Sequence, residues 1–119
     1  MKKALIIIDH GSRFKAANDM IFDVVKMLRD KNKDIIIEGC HMELAPPDIA
    51  TTFVKCIDQG ATHIIAQPFM LSPGRHSTSD IPQLVDDIAR KFPDVSYEVK
   101  PHFGTHEKIT DILFDNCGL

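Results

Sequence analysis

Histidine is the conspicuous residue of this chain, with six among 119 residues. Four of them, His10, His41, His76 and His102, fall at or just after the end of a run that reads as a strand. Imidazole binds first-row transition metals through a neutral nitrogen and exchanges protons near neutral pH. Glu43, between His41-Met42 and Leu44-Ala45, is an acid in apolar company near a strand end. Two imidazoles with a carboxylate suit Fe2+, Co2+, Ni2+ or Zn2+, and not Mg2+ or Ca2+, which prefer oxygen ligands. The same groups can also act as bases. Cys40, Cys56 and Cys117 contain no CxxC, which speaks against a structural zinc site. A Ser-His-Asp arrangement through Ser12 or Ser77 lacks a nucleophile elbow. His63 and His106 stand at element starts and read as surface residues.

These groups need elements to position them. Ala4-Leu5-Ile6-Ile7-Ile8 is continuously apolar, as in a strand buried on both faces. It breaks at Asp9-His10-Gly11-Ser12-Arg13. Apolar residues at Ala17, Ile21, Val24, Val25 and Leu28 then predict a helix from Phe14 to about Lys31-Asn32. A second strand starts at Ile35 and runs through His41 toward Glu43. Pro46-Pro47-Asp48 opens a second helix with Ile49, Phe53, Cys56 and Ile57 on its buried side and Gly60 after its end. The third strand covers roughly Thr62 to Gln67.

Pro68 to Pro82 reads as a long loop leaving that strand, stiffened by Pro73 and Gly74, with Arg75 and His76 at its tip. Ser79 or Asp80 is the expected cap of a third helix carrying Ile81, Leu84, Val85, Ile88 and Phe92. Val95, Tyr97 and Val99 alternate with polar residues and predict a half-exposed edge strand. After Pro101-His102-Phe103-Gly104, Thr105 is the expected cap of a short helix with Ile109, Ile112 and Leu113.

The order βαβαβαβα predicts one α/β domain over residues 1–119, with a four-stranded, mainly parallel sheet and helices on both faces. In strand order 2-1-3-4, ligands bind where the order reverses, beyond the carboxyl ends of strands one and three. His10 and His76 would flank that crevice. A net charge of −3 gives no general attraction to nucleic acid or anionic membranes. No run is long enough to span a membrane, and no signal peptide or phosphate-binding loop is recognisable. Three widely spaced cysteines suggest a reducing, cytoplasmic setting. Read from the residues alone, this is a cytoplasmic α/β domain with a His/carboxylate metal site.

Four segments together go further: Ile8-Asp9-His10-Gly11-Ser12-Arg13, His41-Met42-Glu43-Leu44-Ala45, Pro68 through His76, and Asp80-Ile81-Pro82. In this order and spacing the chain resembles the small sirohydrochlorin chelatases, class II tetrapyrrole chelatases of siroheme and cobalamin synthesis. The resemblance implies insertion of Co2+ or Fe2+ into sirohydrochlorin, with the metal as substrate and no tightly bound cofactor. It implies an active site at His10 and His76, which would bind the metal and take up protons, with Glu43 beside them. Arg13 and Arg75, with Ser12, are the expected substrate-binding residues, and Phe69, Met70 and Leu71 either contact the ring or pack behind the loop. A homodimer of the short form is implied, with two copies forming the cleft. His102 stands where relatives often carry an apolar residue, as an extra ligand or an idle substitution. The competing reading is a non-catalytic metal- or tetrapyrrole-binding carrier.

Overall fold

A computed structural model describes residues 1–119. In chain order the elements are β1 (Lys3–Asp9), α1 (Lys15–Lys31), β2 (Ile36–His41), α2 (Ile49–Asp58) and β3 (His63–Pro68). A π-helical turn (His76–Asp80), α3 (Ile81–Ala89), β4 (Ser96–Val99) and α4 (Ile109–Cys117) follow. The strands form one sheet in the order β2-β1-β3-β4, and every neighbouring pair is parallel.

Alternation along β1 divides the core in two, because successive strand side chains point to opposite faces. Ala4, Ile6 and Ile8 meet Phe53 and Cys56 of α2 and Ile81 and Val85 of α3. Ile7 points the other way and packs with Ile21 and Val25 of α1 and Ile37 of β2. Both faces of β1 are therefore dry, which is why its sequence reads as an unbroken apolar run. Phe53 is completely buried at the centre of the larger cluster. Truncating such a residue to alanine costs about 3–5 kcal/mol.

Element ends depart from the sequence reading in several places. β2 stops at His41 rather than continuing toward Glu43. The prolines at 46 and 47 precede α2 instead of forming its first turn. Asp48 is the N-cap, accepting the Thr51 N–H at 2.8 Å. Gly60 follows α2 with φ +100, as expected for a residue leaving a helix. β4 lies at the sheet edge, with Ser96 and Tyr97 exposed.

The largest correction concerns the 68–82 connection. His76 is not at a loop tip. Helical backbone is already present at Arg75 (φ −56, ψ −39), and the Ile81 N–H donates to the His76 carbonyl five residues back. That π turn runs directly into α3. Asp80 therefore lies inside a helical path, with φ −68 and ψ −46, and neither it nor Ser79 acts as a cap. Leu84, expected on the buried side, is exposed. Thr105 caps nothing, since α4 begins at Ile109, and Ile112 and Leu113 stand in solvent instead of forming a buried stripe.

Candidate active site

The β1–β2 ladder continues past the strand ends and places the first two site residues together. The Met42 N–H donates to the Asp9 carbonyl at 2.8 Å, and the Glu43 N–H donates to the His10 carbonyl at 3.2 Å. The chain then turns sharply on each side. Gly11 has φ +90, and a Cβ there would lie 1.9 Å from the Glu43 carbonyl oxygen. Only glycine accommodates both the backbone conformation and the approach. Leu44 adopts φ 73, a sparsely populated conformation for a branched side chain. Glu43 is thus held between two tight turns.

The third residue arrives from the other side of β1. The Phe69 N–H donates to the Ile8 carbonyl at 2.7 Å, which fixes the start of the connection to the π turn. His76, first residue of that turn, faces His10 edge-on with ring centroids 4.4 Å apart. The two Nε2 atoms are 3.2 Å apart, and His10 Nε2 lies 3.3 Å from Glu43 Oε1. The strand-order crevice therefore brings together the three residues expected to act.

The outer nitrogens decide what these inner atoms can do. His10 Nδ1 is 3.1 Å from the Gly11 carbonyl, and His76 Nδ1 is 2.9 Å from Asp80 Oδ2. A carbonyl and a carboxylate can only accept hydrogen bonds. A neutral ring that carries its hydrogen on Nδ1 bonds to that acceptor and turns an Nε2 lone pair to the site. His10 Nε2 then has the His76 Nε2 on one side and Glu43 Oε1 on the other. Adjacent donors of octahedral to tetrahedral ions are separated by roughly 2.8–3.4 Å when metal–nitrogen bonds are about 2.0–2.1 Å. Both observed separations, 3.2 and 3.3 Å, fall in that interval. No group of three or more His, Cys, Asp or Glu side chains is placed to hold a metal ion by itself. His10 is the shared member of two close pairs, one with His76 and one with Glu43, on a partly exposed surface.

The remaining expected residues divide. Ser12 does not face the donors: its hydroxyl accepts the Phe14 N–H at 3.0 Å, and its backbone is held by Asn18 at 2.9 and 2.7 Å. It anchors the start of α1. Arg13 is exposed. The Arg75 side chain is 81% exposed, with its Nε 3.9 Å from Asp80. Met70 packs against the core, whereas Phe69 and Leu71 are exposed. Phe69 lies against Phe103, ring centroids 5.6 Å apart. That pair was invisible in the sequence because its members belong to different connections.

His41 is completely buried and bonds through Nδ1 to Asp9 Oδ1 at 2.5 Å. Its ring meets Phe22 edge-on at 5.7 Å, and its Nε2 has no partner. It supports the end of β1 from inside. His102 has a buried, unpartnered Nδ1. His63 is part-buried against Ser96 Oγ at 2.7 Å, and His106 is exposed. Sequence reasoning missed Asp80 as a partner of His76. Its signal was the spacing of four residues, which the expected loop concealed.

Comparison with known proteins follows this geometry. A family model described as CbiX matches residues 4–117. The sirohydrochlorin ferrochelatase, chloroplastic, of Arabidopsis thaliana is 42% identical over 93% of this chain and 49% of its own length. A sirohydrochlorin cobaltochelatase of Priestia megaterium is 32% identical over 93% of this chain and 36% of its own. The sirohydrochlorin chelatase SirB of Bacillus subtilis subspecies spizizenii, solved in complex with cobalt, superposes with TM-score 0.91 at 28% identity. That match covers 99% of this chain and 50% of SirB. The chain thus spans about half the length, or less, of these relatives.

Proposed function

The chain belongs to the CbiX family, and from that premise we propose that it is a sirohydrochlorin chelatase. It inserts Fe2+ or Co2+ into sirohydrochlorin, a step of siroheme or cobalamin synthesis. One observation carries the reading: His10 Nε2 lies 3.2 Å from His76 Nε2 and 3.3 Å from Glu43 Oε1. Such a grouping attracts a cation, either a proton or a divalent metal.

Insertion requires the metal to lose water and the macrocycle to lose two pyrrole N–H protons as M2+ replaces them. His10 and His76 hold the incoming ion through Nε2 and release it to the ring, whose nitrogens form the replacing bonds. The freed imidazoles then accept the departing protons. Glu43, exposed and next to His10, passes them to solvent. Arg13 and Arg75 pair with the substrate's peripheral carboxylates, for which their exposure suits them. Ser12 acts indirectly, by holding the loop that carries His10 and Arg13. Phe69, Phe103 and Leu71 offer an apolar surface for the ring plane.

We also propose that residues 1–119 form one domain and that a second copy completes the cleft. Support comes from α4, which buries no residue and leaves Ile112, Leu113 and Phe114 65%, 57% and 55% exposed. No helix is long and apolar enough to cross a membrane. Three unpaired cysteines favour a reducing compartment such as the cytoplasm.

The test is to mix the protein anaerobically with sirohydrochlorin and Fe2+ or Co2+ and follow the absorption spectrum. Metallation well above the protein-free rate is expected. Binding of metal or tetrapyrrole without acceleration would leave a carrier instead. Sedimentation of a fully active monomer would remove the second copy.

A further inference from the structure

We propose that Asp80 is a positioning residue that keeps the two site imidazoles from satisfying each other. The inference rests on the chelatase reading but concerns a residue other than His10, His76 and Glu43. At 3.2 Å the His10 and His76 Nε2 atoms are within hydrogen-bond reach. Two arrangements of neutral rings are compatible with that distance. If one ring carries its hydrogen on Nε2, the pair forms a hydrogen bond and the site is closed upon itself. If both carry it on Nδ1, two lone pairs oppose each other and the site is open to a cation. The backbone selects the second arrangement at His10, through the Gly11 carbonyl 3.1 Å from Nδ1. At His76 the selection falls to one side chain, the Asp80 carboxylate 2.9 Å from Nδ1.

The local fold makes that selection dependable. Asp80 follows His76 by four residues in a continuous helical path, so their side chains share a face. Ser77 between them is buried, and its hydroxyl donates to the Gly74 carbonyl at 3.3 Å. Thr78 donates to that carbonyl through its backbone at 2.9 Å and its hydroxyl at 2.6 Å. These bonds anchor the turn and hold His76 toward His10. The Arg75 guanidinium lies on the same carboxylate, its Nε 3.9 Å from Asp80 Oδ2. A carboxylate behind a metal-binding imidazole also raises its basicity as a ligand. Asp80 thus sets both the direction and the strength of the His76 lone pair.

The test has a readout independent of turnover. Nitrogen-15 NMR of the metal-free wild type, in mildly alkaline buffer where imidazoles are neutral, should show His76 with its hydrogen on Nδ1. A dominant Nε2–H form at His76 would overturn the proposal, whatever the activity. Asp80→Ala should move that population toward Nε2–H. Its Co2+ affinity, read by absorption titration without tetrapyrrole, should fall about ten- to a hundredfold, as for other lost partners of metal-binding histidines. Asp80→Ala that binds Co2+ and metallates sirohydrochlorin as wild type does would also overturn it. A wild type that binds Co2+ but does not metallate sirohydrochlorin refutes the chelatase reading instead, while the tautomer and affinity results still decide the role of Asp80.

Discussion

His10 Nε2 and His76 Nε2 stand 3.2 Å apart although 66 positions separate them in the chain. One follows β1 and the other opens the π turn after β3, and these two strands are direct neighbours. The pair is a consequence of strand order, because parallel neighbours deliver their carboxyl ends to one edge.

Replacing either imidazole tests the centre of the mechanism. His10→Ala and His76→Ala should each reduce the metallation rate by at least about a hundredfold, the lower range for a lost general base. Both side chains are partly exposed, at 44% and 37%. Their removal should therefore leave the circular dichroism spectrum and urea midpoint nearly unchanged. Full activity in either variant would remove that residue from the reaction.

Gly11→Ala should be far more damaging than its size suggests. Its Cβ would lie 1.9 Å from the Glu43 carbonyl in a left-handed conformation. The conformation alone costs about 1–2 kcal/mol, and relief of the overlap must move the Glu43 segment. Urea unfolding should show at least that loss, and metallation should fall with it. Glu43→Gln is the companion variant: stability kept, rate reduced.

Asp48 should give stability a dependence on acid. Hydrogen bonds from Thr51 hold its carboxyl below the ordinary aspartate value of 3.8. A lowered folded-state pKa means a contribution that is complete above the unfolded value and lost as pH falls through the folded one. At neutral pH, Asp48→Ala should cost about 1 kcal/mol, as for other N-caps. Urea midpoints of wild type and variant should converge below the ordinary aspartate range.

Thiol labelling should separate the three cysteines. Burial pushes Cys40 and Cys56 up to about 12, whereas Cys117 is exposed. The thiolate is the reactive form. Native protein should therefore take up one equivalent of iodoacetamide quickly at mildly alkaline pH, and three equivalents in denaturant. Rapid labelling of Cys40 or Cys56 in the native state would contradict the packing around Phe53.

Dimer formation is testable on α4. Leu113→Asp, on a helix with no buried residue, should leave the domain folded while shifting sedimentation from dimer to monomer and lowering activity. Unchanged sedimentation would remove α4 from the interface.

Much of this was legible in the residues. The unbroken apolar run 4–8, the helical spacings of α1 to α3 and the alternating edge strand specify a parallel α/β sheet. They do so because burial on two faces, one stripe or one face leaves a different period in each case. Gly11 and Glu43 were legible as neighbours of histidines at strand ends. The Asp80 pairing was not. Prolines and glycine between 68 and 82 signal a loop, while the π turn depends on the fit of Ser77 into the protein and on bonds to Gly74. The residue expected to cap α3 instead sets its carboxylate behind an imidazole.

The sequence by itself determined the fold class and the strand ends near which histidines stand, and it singled out His10, His76 and Glu43 as candidates for the chemistry. Those follow from local chemistry: side-chain period, backbone freedom and ligand type. Only the tertiary structure decided that His10 and His76 meet through Nε2, that Asp80 holds one outer nitrogen and a backbone carbonyl the other, and that Ser12 turns away. It also showed the apolar side of α4 to be unburied. Hydrogen-bond direction and burial are properties of atoms brought together from distant positions, and no window of neighbouring residues contains them.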